Sequence, residues 1–168
     1  MAGSVIIAPH SVSLRTASGL LSYGPYTGAG GNAAPDDMGI QVAASLSSNA
    51  VAQLRFAMPD TIPTGTLNLR CVMLTSDATT SHVGKLTISS AAVSSGASPS
   101  AATLQAQAQT TIPSSTPATM TDFYQVVNVP LTLTSPTADQ FVVVAVTFNN
   151  TGWTISSIAN FQFFLVWL

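Results

Sequence analysis

The side chains able to do acid, base, nucleophilic or metal chemistry are few in this chain: His10, His82, Cys71 and six aspartates, with no glutamate at all. Metal sites need ligands gathered at short spacing, and these residues are scattered, so neither a metal nor a cofactor is expected. Asp36-Asp37 is the only adjacent acidic pair. Two carboxylates fall short of the six or more oxygens that calcium takes, and a solvated loop pair is the plainer reading. Gly28-Ala-Gly-Gly-Asn32 lacks the Lys-Ser/Thr of a phosphate-binding loop. No serine sits in a Gly-x-Ser-x-Gly elbow, and a carboxylate pair for glycoside hydrolysis would have to be assembled from distant aspartates. These patterns argue against an enzyme and leave no catalytic residue to name.

Residues suited to contact rather than catalysis are better represented. Tyr23, Tyr26 and Trp153 lie in or beside Gly- and Pro-marked segments where a sugar-stacking platform could form. Trp153, directly after the turn Asn149-Asn-Thr-Gly152, reads more simply as a plug at one end of a core, and Trp167 alternates with Phe161, Phe163 and Leu165 as core. Arg15, Arg55, Arg70 and Lys85 are each nearly alone. One such charge facing a partner can fix register, although outward strand positions kept charged against edge pairing explain them as well. Tyr23, Tyr26, Arg15, Asp36 and Asp37 are the candidate partner contacts. Asn149-x-Thr151 matches a glycosylation sequon, but the N-terminus has no basic region and only a brief apolar run, so no secretory signal is expected.

The elements that must position these residues are strands. Phe141 to Phe148 and Phe161 to Leu168 are β-branched and aromatic runs, each long enough for a central strand and too short to cross a membrane as a helix. The intervening turn predicts two long strands side by side, with the rest of the chain packed on or beside them. Period-two alternation marks further strands at Ile40 to Ala44, Val51 to Met58, Thr66 to Leu74, Val83 to Ser89 and Phe123 to Leu133. Pro130 argues for an edge position or a bulge in the last of these. Ala101 to Gln109 fits a helix by composition and a strand by its strict Ala/Gln alternation, and its neighbours favour the strand. Val5 to Ile7 and Ser11 to Leu14 are short strand candidates, whereas the glycines and prolines of Ser18 to Gly39 predict a long irregular loop. Residues 1–38 are therefore read as an N-terminal arm or extended loop, and 39–168 as one domain. The expected fold is all-β, a two-sheet antiparallel sandwich of jelly-roll type with about eight strands.

Composition points the same way. The chain is 46% hydrophobic and only 6% charged, against roughly 25% charged in an ordinary soluble domain. Ser and Thr make up about a quarter of it, and the net charge is −2. Four basic residues give no electrostatic footprint for nucleic acid. A surface with so little charge is tolerable when other subunits cover it. The lone Cys71 alternates with Leu67, Leu69 and Met73 and is expected to be a small buried hydrophobe.

Taken together, the chain resembles small jelly-roll structural proteins of tailed-phage virions. The likeness is carried by the near-absence of charge, by the Ser/Thr/Ala/Val richness, by Phe-Val-Val-Val-Ala-Val-Thr-Phe-Asn-Asn-Thr-Gly-Trp-Thr (141–154) and by the closing Phe-Phe-Leu-Val-Trp-Leu (163–168). The resemblance, to the capsid cement or decoration class over roughly residues 40–168, implies a homotrimer at three-fold positions on the outside of a phage head. The major capsid protein would be its partner, with neither nucleic acid nor membrane involved, and the protein would be assembled in the host cytoplasm and end on the virion. Attachment would be insensitive to salt, and loss of residues 1–38 would abolish it while leaving the sandwich folded. The alternative is a receptor- or carbohydrate-binding head of a tail fibre or spike, using Tyr23, Tyr26 or Trp153.

Overall fold

The computed structural model describes residues 5–15, 19–27, 33–94, 96–98, 103–113, 125–133 and 136–168; for 26–27, 33–37 and 106–108 it describes the backbone alone. Eleven strands are found among them: β1 Ile6–Ile7, β2 Ser11–Leu14, β3 Leu21–Thr27, β4 Ala33–Val42, β5 Ala50–Ala57, β6 Leu67–Thr75, β7 Gly84–Val93, β8 Gln105–Ile112, β9 Gln125–Pro130, β10 Phe141–Phe148 and β11 Ala159–Trp167. They form two antiparallel sheets. Sheet A has the order β3-β4-β11-β6-β9, with β1 also paired to β11, and sheet B has the order β2-β5-β10-β7-β8. From β4 onward, the interleaved orders β4-β11-β6-β9 and β5-β10-β7-β8 are those of a jelly roll, in which most successive strands cross from one sheet to the other. The eight strands expected are these eight; β1, β2 and β3 extend the two sheets.

The two strongest hydrophobic runs are both central, but they are not neighbours. β10 pairs with β5 and β7 in sheet B, and β11 pairs with β6, β4 and β1 in sheet A. The expectation of two strands side by side is corrected: after Asn149-Asn-Thr-Gly152 the chain crosses the open end of the sandwich before β11 begins at Ala159. The two strands therefore meet face to face through side chains. Phe148 lies 5.2 Å from Phe161 and 6.4 Å from Phe163, ring centre to ring centre, both edge-on. Trp153 closes the end of this layer, 6.1 Å from Phe148 and 6.0 Å from Phe161, and is buried as a plug should be. Leu54, Leu69, Cys71, Met73, Leu86, Ile88 and Val144 fill the rest of the inter-sheet layer. Burial pushes the Cys71 thiol up, so that at neutral pH it is a packed apolar group and not a nucleophile.

The described residues of 1–38 do not stand off as an arm. β1 pairs with β11 and β2 with β5, β3 borders β4, and β4 itself runs across the expected 38/39 boundary. Ile7, Val12, Leu14, Leu20 and Leu21 pack against the core. Tyr23-Gly-Pro-Tyr26, expected to be irregular, belongs to β3. An edge strand tolerates Pro25 because the missing amide faces no neighbour, and the pairing shifts register between Pro25 and Thr27. Gly28 to Asn32 lies outside the described residues. Removing residues 1–38 would strip strands from both sheets, so that truncation cannot separate folding from attachment. By contrast Pro130 ends β9, an edge strand, as its missing donor requires, and Gln105–Ile112 is a strand, as the Ala/Gln alternation suggested.

Candidate functional site

β11 is bordered by β6 along its whole length, but its other side is shared. β4 pairs with Ala159 to Phe161 and β1 with Leu165 and Val166, leaving Gln162 to Phe164 without a strand partner on that side. The gap opens a cleft of about 260 Å³ through sheet A toward the core. Exposed Tyr23 and Met38 stand at its mouth with Gln162 and Phe164, while fully buried Leu54 of sheet B and buried Phe163 form its floor. The Gln162 amide donates to the Met38 carbonyl at 3.3 Å and so holds one wall. Gly39 makes the approach of β4 to β11 possible, since a Cβ there would strike the Asn160 side chain and would lie 2.7 Å from the Phe161 carbonyl oxygen. Gly39→Ala is accordingly expected to cost about 1–3 kcal/mol as β4 is forced off β11, read as a lower thermal midpoint.

Gln162 and Phe164 also border a second groove, of about 410 Å³, with Ile6, Arg70, Val72 and Val126. The second groove lies on the outer face of sheet A, where Ile6, Val72, Val126 and Phe164 form an apolar strip beside the mouth of the cleft. Ile6 and Val126 are 52% and 49% exposed there, high values for large apolar side chains. Tyr23 and Met38, also exposed, point to the other side of the sheet, since Tyr23 pairs with core Ile40 and Met38 precedes Ile40 by two residues. The strip's one described charge is tied down, with Arg70 Nε donating to Asn128 Oδ1 at 3.0 Å. Among the described residues, no carboxylate or nucleophile lines either depression. What the arrangement can do is bind by shape and apolar area.

The structure separates the residues singled out from sequence. Tyr23 is exposed and lines the cleft. Tyr26 on β3 and Asp36 and Asp37 on β4 belong to the same edge of sheet A by backbone, but their side chains lie outside the described residues. Arg15 is on the opposite side of the sandwich, exposed just after β2, with its amide donating to the Val51 carbonyl at 2.8 Å. Trp153 is removed from any sugar platform by its burial. Ile6, Val126 and Phe164 were not singled out at all. The signal that could have found them is a break in alternation: Val126 and Val127, and Phe163 and Phe164, are adjacent apolar pairs, so one member of each must face outward.

Sequence reading also missed a buried cluster at the end of the sandwich. The Asp77 carboxylate accepts from the Ser156 amide at 2.7 Å, the Ser156 hydroxyl at 3.0 Å, His82 Nδ1 at 2.7 Å and the Thr79 amide at 2.9 Å. Burial pushes this carboxyl up, but the four donors outweigh burial and hold it well below the usual carboxylate range. An ionised carboxylate only accepts, so Nδ1 of His82 carries the proton. The grouping of Ser, His and Asp is not a catalytic triad, because Ser156 donates to the aspartate and not to the imidazole that would have to activate it. It ties the β6–β7 loop to the β10–β11 crossover. Among the described residues, no group of three or more His, Cys, Asp or Glu is placed to hold a metal.

No family model matches this chain, and no curated protein matches it. Solved structures do. One is an arabinose-bound GH51 α-L-arabinofuranosidase, similar at 16% identity and TM-score 0.52 over 94% of this chain. The chain covers 23% of that protein. Two others are the K1 cleaved adhesin domain of Lys-gingipain from Porphyromonas gingivalis (16% identity, TM-score 0.48, 98% of each chain) and the family 11 carbohydrate-binding module from Clostridium thermocellum (9% identity, TM-score 0.41, 99% of this chain and 89% of that one). At such identities the likeness is one of fold. It carries no ligand or partner across.

Proposed function

We propose that this chain is a structural protein of a tailed-phage virion, a capsid cement or decoration protein that binds the outside of the head as a homotrimer and stabilises the shell. The observation that carries the reading is the outer face of sheet A: an apolar strip whose one described charge, Arg70, is tied to Asn128, on a protein with few charges elsewhere. Such a face is stable in water when a second copy covers it. A jelly roll with no assembled catalytic group among its described residues, and with Ser/Thr as its main polar surface, supports the same reading. The mechanism is mass action: a protein that binds only the expanded shell stabilises that shell by its binding free energy, repeated at every site.

The rival reading, a glycan- or receptor-binding head of a tail fibre, needs stacked exposed aromatics. With Trp153 buried and the Tyr26 side chain outside the described residues, it rests, among the described side chains singled out from sequence, on Tyr23. The two readings separate in one experiment. Added to expanded phage heads that lack it, the protein is expected to co-sediment at a fixed ratio to the coat subunits and to raise the melting temperature of the shell. Heads that melt unchanged and leave the protein in the supernatant would overturn the proposal, and glycan binding lost in Tyr23→Ala would favour its rival.

A further inference from the structure

The two outer faces of the sandwich differ in charge. In sheet B, strand alternation turns fully buried Leu54 and Phe56 of β5 and Leu86 and Ile88 of β7 inward, so that Arg55 of β5 and Lys85 of β7 point outward. Arg15, which continues β2 past inward-facing Leu14, points outward as well. Three of the four basic residues of the chain thus share one face. No strand of sheet B contains an aspartate, whereas β4 of sheet A contains two. Two described carboxylates, Asp60 and Asp139, lie beyond the strand ends at Ala57 and Phe141, where they line a separate groove. Among the described residues the only ion pair is His82 with Asp77, so none of the three cations is neutralised by a described carboxylate.

Register gives the spacing. Arg55 is opposite Val143, and Leu86, next to Lys85, is opposite Phe148. Lys85 is therefore level with Asn149, and six residues along β10 and two strand spacings across it separate the two cations by about 22 Å. Between them lie uncharged side chains, among them Ser13, Gln53, Ala145, Thr147, Thr87 and Ser89. Cations this far apart around a flat neutral field cannot clamp one phosphate, and three are too few to track a nucleic acid. They match carboxylates dispersed over a protein surface, to which each contributes steering and register.

We infer that the outer face of sheet B docks on an acidic protein surface through Arg15, Arg55 and Lys85. The inference rests on the proposed function only for the identity of that surface, which is then the capsid shell, leaving sheet A for contact between copies. For the shell contact it replaces the salt insensitivity expected from the sequence with attachment that weakens as salt screens the three charges.

The test uses immobilised poly-L-glutamate as the acidic polypeptide, with dextran sulfate and phosphatidylserine vesicles in parallel, at 50 and 500 mM NaCl (about 14 and 4 Å screening lengths). The wild-type protein is expected to bind poly-L-glutamate at the lower salt and to be released at the higher. R15Q/R55Q/K85Q is expected to bind about tenfold more weakly. The single variants R15Q and K85Q, expected each to weaken binding two- to threefold, keep the test open if the triple variant does not fold. Wild-type protein that ignores poly-L-glutamate, or a folded triple variant that binds it equally, would overturn the inference; so would tighter binding to dextran sulfate or to vesicles, which assigns the face to a polysaccharide or a lipid. Binding to poly-L-glutamate without binding to heads overturns the cement reading and leaves this face standing.

Discussion

Phe148→Ala is expected to lower stability by about 4 kcal/mol, the largest effect of any single truncation proposed for this fold. Phe148 is fully buried at the end of β10, and its ring meets Phe161, Phe163 and Trp153, which come from β11 and from the crossover that closes the sandwich. Truncation removes the apolar transfer term and three aromatic contacts, and it leaves a cavity that neighbours held in two different sheets cannot collapse to fill. For a chain of this size the melting temperature should fall by about 8–16 °C. Phe141, at the other end of the same strand, is 40% exposed, and Phe141→Ala should cost about 1 kcal/mol or less. Thermal denaturation of the pair checks the layer assignment. Equal losses would mean that β10 does not enter the core as described.

The second large effect is expected at Asp77. Asp77→Asn should lower stability at pH 7 by about 3 kcal/mol, because the amide nitrogen of Asn puts a donor among the donors of Ser156 and His82. The pH dependence has a definite sign. The folded-state pKa of Asp77 lies below its unfolded value, so between the two the unfolded chain binds a proton that the native state does not. The stabilisation is fully present above the unfolded value of about 3.9 and is lost as pH falls through the folded one. Wild-type protein should therefore lose stability steeply from about pH 5 downward, and Asp77→Asn should flatten that acid limb. Chemical denaturation at pH 3, 5 and 7 measures both. An acid limb of unchanged slope in the variant would mean that another carboxylate dominates the acid response.

The strands were legible in this sequence because alternation and β-branched composition are local properties. Val51 to Met58, Thr66 to Leu74 and Phe141 to Phe148 appear in the structure within a residue or two of where the pattern places them. Partnership is not local. The Asn149-Asn-Thr-Gly152 turn reads as a hairpin signal, yet β10 and β11 lie in opposite sheets, because each is apolar enough to be the centre of its own layer. In residues 1–38 the same local reasoning failed in the other direction: Gly24 and Pro25 weaken a strand in isolation, but β3 is an edge strand held by β4 and can carry both. The Asp77 cluster was invisible for a simpler reason. Ser156 follows Asp77 by 79 positions, and only the crossover brings them together. Of the candidate contacts, Tyr23 alone could be placed by side chain at the cleft, which it lines with Phe164 and Met38, neighbours that only the topology reveals.

The claim on which the account turns is that the outer face of sheet A is a contact between copies of this chain. Its most direct test is the solution mass by light scattering, over a wide concentration range and at low and high salt, for the wild type and for Val126→Asp. Val126 is half exposed, so the substitution leaves the core intact while placing a charge on the strip. The account predicts a trimer that persists at high salt, as an apolar contact should, and that Val126→Asp dissociates to folded monomer. A wild-type protein that stays monomeric at every concentration, or a trimer indifferent to Val126→Asp, would contradict it.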